Sequence, residues 1–131
     1  MMRIPSALAA SMFGTAAVLL ATQGARGAMP AAEALPPASF AQCKACHSVS
    51  KGGPSSVGPN LFGVLGAPAG GKPGYAYSPA MKGSKIRWDR AKLDAYLADP
   101  KTLVPGTKMA IPGVKDAAKR KEIVDYLTTL K

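Results

Sequence analysis

Two stretches of this 131-residue chain carry apolar residues at helical spacing. Near the C-terminus Ile123, Tyr126, Leu127 and Leu130 recur at i, i+3, i+4 and i+7, which predicts an amphipathic helix from about Asp116 to Leu130. Earlier, Asp89 can cap a helix running to Asp99, with Leu93, Tyr96 and Leu97 on one face and Pro100 ending it. A third, shorter helix fits Ala38 to Cys46 and carries Phe40. From Ser48 to Pro73 no period holds. Glycine and proline recur there as GGPSSVGPN and LGAPAGGKPG, a long loop with room for one helical turn at Asn60 to Gly66. The stretch KTLVPGTKMAIPGV after Pro100 has prolines and glycines that argue against a helix. Neither an alternating strand pattern nor an internal repeat is present, so the expected class is all-α with much irregular backbone. A loop as long as 48–73 needs something to organise it.

The first residues read differently. Arg3 precedes an uncharged, alanine-rich run from Ala7 to Ala21, and small residues cluster at Gln23 to Ala28. This is the three-part layout of a secretory signal peptide, residues 1–28, cleaved after Gly27 or Ala28. A retained membrane anchor is the alternative, but the run is near 15 residues and diluted by alanine, where a span wants about 20. An Ala/Pro-rich leader, 29–37, then precedes a single domain, 38–131. A core of that size is thin and would gain from a staple. Seventeen Lys and Arg against seven Asp and Glu give a net charge of +10. Cleavage removes Arg3 and Arg26 and no acid, leaving +8. Such a surface favours acidic partners. Export and the lack of a long basic run argue against nucleic acid, and Lys119-Arg120-Lys121 reads as a solvated helix face.

The chemistry is concentrated in CKACH, Cys43 to His47, which holds both cysteines and the only histidine. A disulfide is open to an exported protein. A thioredoxin-like pair needs a βαβ setting that is missing. A zinc site needs four ligands, and these residues offer two thiolates and one imidazole. Covalent haem c uses all three residues: thioethers from Cys43 and Cys46 to the porphyrin vinyl groups, and His47 as an axial iron ligand. With no second histidine, methionine is the natural sixth ligand. Met1, Met2, Met12 and Met29 lie in the leader or at its cleavage site. Met81 in YSPAMKG has the setting of a packing residue. Met109 sits on a loop stiffened by Pro105 and Pro112 and is the better candidate.

CKACH, VGPNLFG (57–63), GYAYSPA (74–80), IRW (86–88), YLADP (96–100) and PGTKM (105–109) together resemble, in that order, the bacterial and mitochondrial class I cytochromes c. The resemblance runs from about Phe40 to Leu130. It implies a small all-α fold of three to five helices wrapped around one covalent haem c held by Cys43 and Cys46, with His47 and Met109 on the iron. It also implies that the Pro59 carbonyl accepts the other ring N–H of His47. Tyr77 and Trp88 match residues that hydrogen-bond a haem propionate, and Tyr96 and Thr107 match the polar pair near the methionine sulfur. Two departures stand out. Pro36 occupies the place of a glycine that lets the terminal helices cross closely, so the first helix is expected to start at Pro37 or Ala38. Ala67 replaces the arginine that mitochondrial members place beside the propionates.

The function implied is one-electron transfer by a soluble, monomeric, non-enzymatic periplasmic carrier between a membrane or periplasmic donor and an oxidase, reductase or reaction-centre acceptor. Partners with acidic faces would dock at Lys44, Lys101 and Lys108. A haem peroxidase or gas-binding protein with a labile Met109 bond is the alternative from another class. No distal histidine or well-placed arginine is evident to support O–O cleavage. A membrane-tethered carrier would follow from a retained leader.

Overall fold

The computed structural model describes residues 34–131, so the signal peptide and most of the 29–37 leader lie outside the described residues. Five short α-helices follow a 3-10 turn: α1 (Ala41–Lys44), α2 (Pro79–Gly83), α3 (Arg90–Ala98), α4 (Pro100–Leu103) and α5 (Ala117–Thr129). The turn, Ala38–Phe40, runs straight into α1, so the first helical segment begins where the Pro36-Pro37 pair permits. Among the described residues the only β pairing is an isolated antiparallel bridge between Pro68 and Arg87. The class is all-α.

Each longer helix starts on an aspartate. Asp89 accepts the Lys92 N–H at 2.7 Å, and Asp116 accepts those of Ala118 and Lys119 at 2.9 and 3.2 Å. These caps satisfy donors that the first turn leaves open. The apolar faces then meet. Helix α5 packs against α3 and against the 3-10 turn, and the turn's Phe40 is fully buried edge-on to Tyr126, ring centroids 4.9 Å apart. The close crossing of the two chain ends is therefore made without the family's glycine. Ile123, Leu127, Leu93 and Leu97 complete the centre of the core. Arg120 ties α5 to α3 through Asp94 at 2.8 Å and also donates to the Val114 and Lys115 carbonyls.

Three expectations are corrected. Pro100 ends α3 but also opens α4, so part of the segment read as non-helical is a helix. Proline at the first position loses an N–H that has no intrahelical partner, and Asp99 caps the new turn by accepting the Thr102 N–H at 3.1 Å. Pro79 does the same for α2, which was not anticipated; Ser78 accepts the Met81 N–H at 3.1 Å. Asn60 to Gly66 is not helical. Gly63 and Gly66 adopt φ of 71° and 81°, a left-handed backbone that interrupts any right-handed turn.

Asp99 and Asp125 link this framework to pH. Thr102, through its N–H and hydroxyl, holds the Asp99 carboxyl below the ordinary value of 3.8, and hydrogen bonds from Lys121 and Arg90 do the same for Asp125. A lowered folded-state value means a contribution present above 3.8 and lost as the pH falls through the lowered one. Asp125→Asn is expected to cost a small amount of stability at neutral pH. Thermal melts should show that gap closing as the pH falls below 3.8 and through the lowered folded-state value, where the wild type loses its carboxylate as well. A gap that persists undiminished in acid would contradict this linkage.

Candidate haem site

Cys43 lies in α1 and Cys46 in the turn after it. Both the Cys46 and His47 N–H groups donate back to the Cys43 carbonyl, at 3.1 and 2.9 Å. This winds C-x-x-C-H into consecutive turns, and both thiols and the imidazole line one cavity of about 500 Å³. The two cysteines are not joined to each other, and burial raises the Cys43 thiol above its ordinary pKa.

His47 Nδ1 lies 2.7 Å from the Pro59 carbonyl oxygen. A carbonyl can only accept, so Nδ1 carries the hydrogen and Nε2 keeps its lone pair for a metal. The segment bearing Pro59 is fixed by two residues that sequence reasoning did not single out. Asn60, 3% exposed, donates through its amide to the Ser50 and Gly53 carbonyls, both at 2.8 Å, and its Oδ1 accepts the Phe62 N–H at 2.8 Å. Gly58 donates its N–H to the Cys46 carbonyl at 2.7 Å, and its Cα lies against the imidazole. A buried amide in a glycine-rich loop leaves no periodic trace. The Gly58-Pro59 step beside the candidate histidine was the available signal.

Met109, half-buried, lines the same cavity. Its N–H approaches Thr107 Oγ1 at 3.3 Å, and Thr107 Oγ1 lies 2.5 Å from the Tyr96 hydroxyl. The methionine loop is thus tied to α3. Burial pushes the Tyr96 phenol up, against a smaller lowering by the Thr107 bond, so it stays a neutral phenol. Trp88 packs on Tyr96 with ring centroids 5.1 Å apart, and Trp88 and Tyr77 also line the cavity. Every ligand and polar residue anticipated from the sequence therefore meets at one site. Met81 is a core residue, as anticipated, but faces the same cavity. Of Lys44, Lys101 and Lys108, all exposed, only Lys108 contributes to the lining; its ammonium donates to the Ala76 carbonyl at 2.6 Å.

No protein-family model matches the chain. Individual relatives do. It is 47% identical over 90 residues to cytochrome c2 of Rhodomicrobium vannielii, covering 69% of this chain and 72% of that one. It is 47% identical over 95 residues to cytochrome c2 iso-2 of Magnetospirillum molischianum, covering 72% and 97%. Among solved structures, cytochrome cH from Methylobacterium extorquens superposes with a TM-score of 0.65 at 52% identity, over 70% of this chain and 91% of that one. The chain belongs to the class I cytochromes c. The family's cofactor is one covalent haem c, and Cys43 and Cys46 have the attachment spacing. The site fits it. Two thiols, an imidazole with Nε2 left over and a thioether border an apolar hollow, and none of its lining residues is acidic. As in this family generally, the role is electron carriage.

Proposed function

We propose that the protein is a soluble periplasmic one-electron carrier whose haem iron is held by His47 and Met109. The observation that carries this reading is the pairing of an imidazole fixed by Pro59 with a half-buried thioether on the wall of one acid-free cavity. Bound haem c supplies an iron that takes up and gives back a single electron. The protein's part is to hold its ligands still. The Pro59 carbonyl orients the ring and strengthens its donor nitrogen. Tyr96 and Thr107 restrain the Met109 loop. Apolar walls and a thioether ligand favour the ferrous state and raise the potential. Exposed Lys44, Lys101 and Lys108, in a mature chain whose net charge after loss of Arg3 and Arg26 is +8, suit acidic-faced redox partners from a membrane or the periplasm. Cleavage of residues 1–28 would deliver a monomeric mature chain to that compartment.

The test is ligand access in the purified, exported holoprotein. Two retained axial ligands predict reversible one-electron reduction with negligible carbon monoxide binding to the ferrous protein at neutral pH. Tight carbon monoxide binding would replace this reading with a gas-binding or peroxidatic one. Mass measurement of the mature chain decides whether residues 1–28 are removed.

A further inference from the structure

Lys72 has no place in the chemistry described so far. It is half-buried, and its side chain lines the cavity. Its ammonium donates to the Phe62 carbonyl at 2.5 Å, which uses one of three hydrogens. None of the three ion pairs among the described residues includes it, and the lining offers no carboxylate. A cation partly removed from water without a counter-charge is costly. Burial raises the pKa of the Tyr77 phenol, and the neighbouring Lys72 backbone opposes that rise only in part. No acceptor within the described chain takes the Tyr77 hydroxyl hydrogen or the Trp88 indole hydrogen. This wall of the cavity therefore presents a cation with no counter-charge, two of its ammonium hydrogens still to be placed, and two further donors that no group of the described chain receives. An anion with several acceptor oxygens complements it. Haem c still carries two carboxylates after both vinyl groups are used.

We propose that the Lys72 ammonium is the counter-cation of a haem propionate in this protein, keeping that carboxylate ionised across the neutral range. The proposal rests on the haem occupying this cavity. Other charged groups nearby are otherwise engaged. Lys108 is bonded to Ala76, and the exposed Arg87 guanidinium donates to the Gly66 carbonyl and is not part of the lining. Tyr75 and Tyr77, in edge contact at 4.8 Å, add only phenols.

The experiment is the reduction potential of the purified holoprotein as a function of pH, for wild type, Lys72→Met, Lys72→Arg and Arg87→Gln. Removing the cation should raise the propionate's titration midpoint by about one pH unit. Loss of the ammonium removes one positive charge on both sides of the propionate's titration, so the Lys72→Met potential should lie below that of the wild type at both extremes. The diagnostic is the inflection of the profile, which should move to higher pH in Lys72→Met. Lys72→Arg should restore the wild-type profile. A Lys72→Met curve parallel to wild type, however much less stable the protein, would overturn the proposal, and so would a sloping profile found in Arg87→Gln alone. Each sample's haem c spectrum is checked first. A normal spectrum with an unchanged pH profile defeats only the role of Lys72, whereas an absent spectrum defeats the cofactor assignment.

Discussion

Met109→Ala is expected to abolish the weak red absorption of a sulfur–Fe(III) bond and to lower the reduction potential by on the order of 0.1 V or more, within the roughly 0.8 V that axial ligands span. The direction follows from the donor. A thioether is a poor ligand for Fe(III), so its loss to water or a nitrogen donor stabilises the oxidised state. Carbon monoxide should then bind the reduced variant readily. Thr107 and Tyr96 stay in place, because their 2.5 Å bond does not involve the methionine side chain. The loop should therefore persist and the change be electronic rather than a general unfolding. Met81 faces the same cavity and is 7% exposed, so it is the rival sulfur. If the red band survives in Met109→Ala and disappears in Met81→Leu, the ligand is Met81.

What could be read from the sequence, and what could not, divides along the range of the interactions. Helices α3 and α5 were legible because their signals are local: an aspartate cap followed by apolar residues three and four apart. CKACH was legible because its chemistry is compressed into five residues. The short helices α2 and α4 have no full period to show, and their leading prolines look like punctuation, although Pro79 and Pro100 each sit at a first helical position. The long loop showed its need for an organiser and hinted at a bound group. Within the chain part of the answer is Asn60, which joins Ser50, Gly53 and Phe62 through one amide. Pro36 stands where the family's glycine lets the terminal helices cross closely, yet Phe40 and Tyr126 meet at that crossing. Aromatic contact fills the crossing in this chain, where the glycine is absent. Lys72 was invisible as a site residue because a lone lysine among glycines and prolines looks like any solvated loop position. Its half-burial on an acid-free wall, which the exposed Lys108 on the same lining does not share, separates it from the others.

Gly58→Ala should be among the most damaging single-methyl additions in the protein. A Cβ at this position would lie 2.5 Å from His47 Cε1, 2.8 Å from Nδ1 and 3.0 Å from Nε2. Relief requires either the backbone or the imidazole to move, and both are held. The Gly58 N–H is bonded to the Cys46 carbonyl at 2.7 Å, the next residue is the rigid Pro59, and His47 is bonded to that proline's carbonyl at 2.7 Å. Overpacking of this kind costs about 1–3 kcal/mol, and a broken hydrogen bond to the histidine adds about 1 kcal/mol. A total of roughly 2–4 kcal/mol should appear in thermal or denaturant unfolding of the holoprotein. The imidazole should also rotate or lose its Nδ1–H bond, which proton NMR of the ring N–H reports directly. Pro59→Ala is the informative contrast. It keeps the main-chain carbonyl that orients the histidine and gives up only loop stiffness, so its loss should be the smaller of the two. Equal stability of Gly58→Ala and wild type, with the ring N–H resonance unmoved, would mean that the close approach of this glycine does not set the orientation of His47.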